Sequence, residues 1–209
     1  MSTTRKIASI LLETEAVRLS PENPFTWSSG WKSPIYCDNR ITLSDVEGRT
    51  FVKKALAKAI KKHFPEADLI AGVATAGIAQ GALVADYLKL PFAYVRPKPK
   101  EHGMGNQIEG KIVKGQKVVV LEDLISTGGS SIKAAEALQA QGIEVIGMIA
   151  VFTYGFKIAD DNFKAAGIPL VTLSQYNYLI DEAVKQNYIK PDALESLKKW
   201  RRSPARWGI

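Results

Sequence analysis

The feature that most constrains the fold of this chain is an alternation of short apolar runs with helical segments, which begins at Asp68. The apolar runs predict strands at 69–73, 92–95, 117–121, 144–152 and 170–173. The intervening and following segments predict helices that end near Leu88 or cover 130–141, 156–166, 179–186 and 191–200. Strands in such an alternation pair in parallel and are covered by helices on both faces. We therefore predict an α/β fold with a mostly parallel central sheet flanked by helices.

The residues before this alternation predict a small N-terminal cap. Apolar residues at helical spacing predict a helix over residues 4–19, and residues 20–43 are irregular and rich in Pro, Ser, Gly and aromatic residues. Ser44 followed by Glu47 predicts the start of a helix over 46–63. The cap should therefore be separate in character from the α/β core that follows it.

Length and composition fit one domain. The chain has 209 residues, of which 46% are hydrophobic and 23% charged, and it shows no internal repeat, low-complexity tract or linker. We predict a single domain over 1–209, with an N-terminal cap at 1–45 and an α/β core with C-terminal helices at 46–209.

The same composition predicts a cytoplasmic protein without a membrane partner. No apolar run approaches the roughly 20 residues that cross a bilayer, and the first residues do not form a secretory signal. Cys37 is the single cysteine, which excludes an internal disulfide and fits a reducing compartment. We interpret Cys37 as a part-buried packing residue, with a reactive thiol as the alternative.

The formal net charge is +7, which can attract nucleic acid or a small polyanion. Part of the excess lies in the basic tail at 198–207, for which a solvated surface, a subunit contact and nucleic acid all remain open. Residues 1–64 show no recognisable turn between two short helices of the kind that reads DNA. The charge alone does not identify a partner, and because this helix pair is missing from residues 1–64 we predict no nucleic-acid partner.

Two carboxylates follow directly on the most apolar predicted strand. Because ligands of open parallel sheets bind at the carboxyl ends of strands, Glu122 and Asp123 should lie at the mouth of a site. Gly128 and Gly129 then allow backbone amides to turn inward at the start of a helix, which suits a phosphate.

Acids beside a phosphate cradle fit a ligand with vicinal hydroxyls at one end and a phosphate at the other, as in ribose 5-phosphate. The segment lacks the Gly-Lys-Ser/Thr ending of a nucleoside-triphosphate loop. The alternative is an ordinary strand–loop–helix junction with Ser130 as the helix cap.

The segment 118–130 is similar to the signature of the type I phosphoribosyltransferases, which bind 5-phosphoribosyl-1-diphosphate. The resemblance implies a Rossmann-like fold in which Glu122 and Asp123 hold the ribose 2- and 3-hydroxyls. It implies that the 5-phosphate is surrounded by the residues that follow, namely Leu124, Ile125, Ser126, Thr127, Gly128, Gly129 and Ser130. The signature does not define the base that is transferred.

A basic loop with prolines and glycines lies at 96–106. Its composition favours a mobile, exposed segment, and an ordinary solvated loop is the alternative. The loop resembles the catalytic loop of the orotate phosphoribosyltransferases, which implies that Arg96, Lys100 and His102 contact the diphosphate. With Asp123 they are the candidate catalytic residues. The resemblance also implies a homodimer in which this loop reaches the neighbouring subunit's site.

The aromatic segment 25–40 resembles the hood that closes over the orotate ring in the same family, with a structural aromatic turn as the alternative. The resemblance implies that the base is bound by Ser126 of the signature and by four hood residues, Ser28, Lys32, Tyr36 and Cys37. Two departures concern the base: Ser28 replaces a hood lysine, and Tyr154 stands in place of a base-contacting arginine.

The segment 72–78 lies where the family has its diphosphate-binding turn. The resemblance implies that backbone amides of Thr75, Ala76 and Gly77 meet the leaving group, and Ala76 replaces a lysine that many members carry. A tight helix-packing turn is the alternative.

The resemblance as a whole implies transfer of ribose 5-phosphate from 5-phosphoribosyl-1-diphosphate to orotate. The products would be orotidine 5′-phosphate and diphosphate, in pyrimidine (UMP) biosynthesis. Mg²⁺ is the implied cofactor, carried by the diphosphate substrate, and no metal ligands of the protein are expected. Two alternatives remain: a phosphoribosyltransferase for another base, and a non-catalytic regulator that binds nucleic acid.

Overall fold

The computed structural model describes residues 1–27, 30–99 and 106–207. The helices, in chain order, are α1 (Thr3–Glu13), α2 (Val46–His63), α3 (Ala76–Leu88), α4 (Gly129–Gln139), α5 (Lys157–Ala166), α6 (Tyr176–Lys185) and α7 (Ala193–Arg202). The strands are β1 (Val17–Leu19), β2 (Phe25–Thr26), β3 (Lys32–Ser33), β4 (Ile35–Cys37), β5 (Leu69–Val73), β6 (Phe92–Val95), β7 (Ile108–Glu109), β8 (Lys117–Ile125), β9 (Glu144–Thr153) and β10 (Leu170–Gln175). Short 3-10 helices cover Asn39–Ser44 and Pro204–Arg206.

The core is a six-stranded sheet in the order β10-β9-β8-β5-β6-β7. All neighbours pair in parallel except β7, which pairs antiparallel with β6 at the edge. The predicted α/β class with a mostly parallel sheet is therefore confirmed. The two-residue strand β7 was not predicted, because so short a run leaves no periodic pattern in the sequence.

Helices cover the sheet on both faces, and this explains why its central strands are apolar at successive positions. Val119 and Leu121 of β8 enter one buried cluster with α1, α2 and α6, whereas Val118 and Val120 enter a second cluster with α4 and α5. Alternate side chains of a strand point to opposite faces, so a strand buried on both faces shows a continuous apolar run.

The N-terminal helix is shorter than the sequence predicts. Helix α1 ends at Glu13, Glu15 adopts a left-handed conformation with φ of 58°, and the chain then enters β1. Residues 17–19 pair antiparallel with β4 instead of extending the helix. The prediction of a helix reaching residue 19 is wrong, because the apolar residues there are buried by strand pairing.

Helix α2 has the predicted bounds but a different cap. The side chain of Asp45 accepts a hydrogen bond from the N–H of Gly48 at 3.0 Å, so Asp45 is the cap and not Ser44.

Among the described helices, none combines the length and apolar character that crossing a membrane requires.

Strand β8 continues four residues beyond its predicted end at Leu121 and pairs with β9 as far as Ile125. Glu122 and Asp123 are therefore held in the sheet itself. Strand pairing uses only backbone groups, so it continues through polar side chains when a neighbouring strand is available. The acid pair lies near the carboxyl ends of the parallel strands, where a ligand site is expected.

Candidate active site

The acid pair at the end of β8 is fixed by hydrogen bonds. Glu122 is 6% exposed; one of its carboxyl oxygens accepts from the N–H of Asp123 and the other from the hydroxyl of Ser131, both at 3.0 Å. The carbonyl of Asp123 accepts from Nδ2 of Asn39 at 2.8 Å. The pair is therefore held from the sheet, from α4 and from the N-terminal cap.

Burial disfavours full ionisation of the acid pair. The pKa of Glu122 is raised to about 9, mainly by loss of hydration and to a smaller extent by repulsion from Asp123. Burial also raises the pKa of Asp123 above its ordinary value. Two adjacent carboxyl groups in such a place share protons, so at neutral pH Glu122 can donate a hydrogen bond as well as accept one. This suits the hydroxyl groups of a sugar.

The loop after β8 leads into an uncapped helix N-terminus. Gly128 is the residue before α4, with φ of 82° and no side-chain cap, while Ser130 lies within the helix. Ser130 is therefore not the helix cap that the ordinary-junction alternative requires. The first amides of α4 have no partner within the helix, so they remain available to an anion in front of it.

Neighbouring groups contact this loop and hold it in place. A Cβ on Gly128 would lie 2.7 Å from the ring of Phe163, so a side chain does not fit there. The carbonyl of Thr127 accepts from Nδ2 of Asn162 at 2.9 Å, and the carbonyl of Ile125 accepts from Oγ1 of Thr153 at 3.1 Å. Helix α5 and strand β9 thus support the loop from behind.

The turn between β5 and α3 lies beside β8. Thr75 precedes α3 without a side-chain cap, and the peptide bond between Ala74 and Thr75 is cis. A Cβ on Gly77 would lie 2.6 Å from the carbonyl oxygen of Leu121, so glycine permits the close approach to β8. This contact fits the packing-turn alternative and the uncapped helix fits a diphosphate site, so both interpretations remain.

A cavity of about 680 Å³ joins the N-terminal cap to the loop after β8. It is lined by four aromatic residues, one leucine and small or polar residues, namely Trp27, Trp31, Tyr36, Tyr154, Leu124, Thr26, Cys37, Ser126 and Thr127. Tyr36, Cys37 and Ser126 are predicted base contacts, and all three line this cavity. A wall with several aromatic rings suits a flat ring.

Two further predicted base contacts are placed differently. Lys32 does not line the cavity, whereas Thr26, its partner in the β2–β3 pair, does. The ammonium of Lys32 donates a hydrogen bond to Oγ1 of Thr26 at 2.9 Å. Lys32 is exposed, so its long side chain can leave Thr26 for an anion. Ser28 lies outside the described residues.

Cys37 is in the cavity wall, and its thiol donates to Oδ1 of Asn39 at 3.3 Å. Burial, with a smaller contribution from the charge of Asp123, raises the pKa of the thiol well above its ordinary value. A protonated thiol is a poor nucleophile, which favours a packing role over a reactive one.

Tyr154, Trp27, Trp31 and Asn39 were not among the predicted site residues. Tyr154 is 3% exposed and its ring lies 5.3 Å from that of Trp27 and 5.6 Å from that of Trp200. The aromatic residues of segment 25–40 and the position of Tyr154 just after β9 were the only signals, because the contacts join parts of the chain far apart in sequence.

Of the three cationic side chains proposed to contact the diphosphate, the structure describes one. Arg96 follows β6, its backbone N–H donates to the carbonyl of Gln107 at 2.8 Å, and its guanidinium lies 3.4 Å from Glu109 of β7. Arg96 is therefore at the base of the 96–106 loop. Lys100 and His102 lie outside the described residues.

Comparison with known proteins identifies the family of this chain. The model of the phosphoribosyl transferase domain family matches residues 47–179. A protein of Cytophaga hutchinsonii named orotate phosphoribosyltransferase is 62% identical over 99% of both chains. The chain belongs to the orotate phosphoribosyltransferase family. The Listeria monocytogenes orotate phosphoribosyltransferase is 55% identical over the full length of both. The crystal structure of orotate phosphoribosyltransferase from Aeropyrum pernix, 30% identical, superposes with a TM-score of 0.75 over 88% of this chain and 99% of that one.

Proposed function

We propose that the site described above carries out the orotate phosphoribosyltransferase reaction, in which 5-phosphoribosyl-1-diphosphate and orotate give orotidine 5′-phosphate and diphosphate. The observation that carries the assignment is the cavity shared by the N-terminal cap and the loop after β8. A base held in this cavity lies against Ser126 and Thr127, next to the place proposed for the sugar phosphate.

The ribose phosphate is held at two points. The carboxyl groups of Glu122 and Asp123 bind the 2- and 3-hydroxyls, because buried carboxyl oxygens are strong partners for sugar hydroxyls. Amides and hydroxyls of residues 124–130, at the N-terminus of α4, bind the 5-phosphate. The rigid link between β8 and α4 fixes the distance between the two points.

The base lies between aromatic rings of the cavity, with Ser126 and backbone groups near Tyr36 and Cys37 as polar contacts. Lys32, which donates to the cavity residue Thr26, is the proposed cation for the carboxylate of orotate, since neither Ser28 nor Tyr154 can carry that charge. Tyr154 then contributes a ring face in place of a charge.

The diphosphate lies between the 74–77 turn and the 96–106 loop, with Arg96, Lys100 and His102 as its cationic partners. Mg²⁺ brought to the site with the diphosphate would neutralise charge on the leaving group, and Glu122 and Asp123 are the residues that would hold the ribose end of that complex. The oxygen-rich ribose end of the site, with its two carboxyl groups, is compatible with such a hard cation. In the described ranges, no group of three or more His, Cys, Asp or Glu side chains could hold a metal by itself.

The reaction is a displacement at the anomeric carbon: the C–O bond to diphosphate breaks, the bond to the orotate nitrogen forms, and the configuration inverts from α to β. Positive charge develops on the ribose ring and negative charge on the leaving group. The acid pair orients the ribose and favours the first charge, and the cationic loop favours the second. The protein therefore acts by placing charges, without a covalent intermediate.

The test is consumption of orotate, followed optically, with 5-phosphoribosyl-1-diphosphate and Mg²⁺ present or each omitted. We expect loss of orotate only when both are present, and no comparable turnover of adenine, guanine, hypoxanthine or uracil. Turnover of a purine in preference to orotate, or no turnover with tight, salt-sensitive DNA binding, would contradict the proposal.

The active unit is proposed to be a homodimer in which the 96–106 loop serves the partner's site. The family resemblance supports this arrangement, and so does the position of Arg96 at the base of a loop beside the edge strand β7, away from the centre of the sheet.

A further inference from the structure

Ser131 lies immediately after the signature segment 118–130, and its hydroxyl leaves its own helix to reach the acid pair. A serine or threonine inside a helix commonly donates to the carbonyl four residues earlier. Thr50 of α2 and Thr14, the residue that follows α1, do so, with distances of 2.7 Å to the carbonyls of Val46 and Ile10. Ser131 instead donates to Oε2 of Glu122 at 3.0 Å.

The surroundings of Ser131 exclude other roles for its hydroxyl. Ser131 is 2% exposed, so neither water nor a substrate contacts it directly. It is not the cap of α4, because that position belongs to Gly128. The carbonyl four residues before it, that of Thr127, already accepts from Asn162.

The bond completes the fixation of Glu122. With the N–H of Asp123 on one carboxyl oxygen and Ser131 on the other, the plane of the carboxyl group cannot rotate without breaking a buried hydrogen bond. Ser131 also belongs to the first turn of α4, whose N-terminus faces the proposed 5-phosphate site. One hydroxyl therefore connects the group that binds ribose to the helix that binds phosphate.

We propose that Ser131 is a positioning residue for the reaction: its hydroxyl holds the carboxyl group of Glu122 in register with the phosphate-binding end of α4, so that ribose and 5-phosphate are bound together. The inference rests on the proposed function, since it assigns Glu122 to the ribose hydroxyls. The base cavity does not include Ser131 or Glu122, so orotate binding is independent of it.

The first experiment compares Ser131→Ala with Ser174→Ala. Ser174 is a matched control, because it is 1% exposed and its hydroxyl donates to the carbonyl of Thr4 at 2.9 Å and not to the acid pair. Ser131→Ala should raise KM for 5-phosphoribosyl-1-diphosphate about tenfold. It should leave KM for orotate, and the inhibition constant of inorganic phosphate, within about twofold of wild type. Ser174→Ala should change none of the three.

Inorganic phosphate separates positioning of Glu122 from simple damage to α4. A distorted helix N-terminus would weaken phosphate as well as the sugar diphosphate, and that result would overturn the proposal. An unchanged KM for the sugar diphosphate in a folded Ser131→Ala protein would also overturn it. Wild-type turnover of orotate tests the proposed function separately, so the two failures are distinguishable.

A second experiment asks whether Ser131 acts through Glu122. In a Glu122→Ala background the hydroxyl has no carboxyl group to hold, so adding Ser131→Ala should change KM for the sugar diphosphate by less than about twofold. Ser131→Thr, which keeps a hydroxyl, should restore most of the wild-type KM. Equal effects of Ser131→Ala in the wild-type and Glu122→Ala backgrounds would show that Ser131 does not act through Glu122.

Discussion

Glu122 is a carboxyl group that folding removes from water and places beside a second acid. In an unfolded chain a glutamic acid has a pKa of about 4.3, whereas in the folded protein that of Glu122 is about 9. The folded protein therefore keeps a proton that the unfolded chain releases over this range. The acid pair favours function at a cost in stability, as is common for buried functional groups.

This shift makes stability depend on pH in a defined direction. The contribution of the protonated Glu122 is complete below the unfolded pKa and is lost as pH rises through the folded pKa. Wild-type protein without substrate should lose on the order of a few kcal/mol between about pH 5 and pH 9. Glu122→Gln, which cannot ionise, should lose much less. Urea unfolding at a series of pH values measures the difference.

Glu66→Gln is the control for that series. Glu66 is an exposed glutamate whose pKa is lowered by its hydrogen bond to Lys117, so it stays ionised over the same range. Its substitution should leave the slope of stability against pH unchanged. The same slope in wild type and Glu122→Gln would mean that Glu122 is not protonated in the folded protein.

Single residues differ in how far the sequence predicts their role. Glu122 and Asp123 are conspicuous in sequence because they interrupt an apolar run where a parallel strand should emerge. Tyr154 and Asn39 are not, because each acquires its role from a partner distant in the chain, as in the 2.8 Å hydrogen bond from Asn39 to the carbonyl of Asp123. Local pattern carries no information on such contacts.

At the scale of elements, the strand–loop–helix unit from β8 to α4 determines the geometry of the proposed phosphate-binding end of the site. Its position could be predicted, because alternating strands and helices leave few topologies. The extent of β8 could not, since its last four residues are defined by pairing with β9. The local sequence pattern likewise could not predict that Phe163 and Asn162 of α5 contact the loop.

Gly128 is the point at which this unit is most sensitive to substitution. Gly128→Ala combines a positive φ with a Cβ 2.7 Å from Phe163, so we expect a loss of about 1–3 kcal/mol in the free energy of unfolding and a higher KM for the sugar diphosphate. Gly129→Ala is the matched control, because a Cβ there meets no atom within 4 Å. Denaturant melts of the two variants should differ clearly. Equal stability would refute the packing argument.

At the scale of the whole molecule, the N-terminal cap packs against the core through aromatic contacts. Trp27 of the cap lies against Tyr154 and Trp200, which come from the far end of the chain. The periodicity of the sequence predicted the α/β class. It could not predict how the cap packs on the core, because residues 20–43 have no regular pattern. In the proposed homodimer, the 96–106 loop would likewise join distant parts, because it would contribute to the site of the partner subunit.

Mixing two inactive variants tests that exchange. Lys100→Ala removes a loop cation and Asp123→Asn alters the acid pair. If the loop serves the partner's site, heterodimers contain one site without either change, and random mixing should recover about a quarter of wild-type activity. Each variant alone should stay at least about tenfold less active than wild type. No recovery after verified subunit exchange would show that the loop serves its own subunit.

The two tryptophans in the cavity wall have a practical consequence. Trp27 and Trp31 should change their fluorescence emission when a flat, absorbing ring is stacked beside them. Titration with orotate should therefore quench the intrinsic emission of the wild type, and Trp31→Phe should reduce the amplitude of the quench. The protein thus contains its own optical probe of base binding, usable without labels and before any turnover occurs.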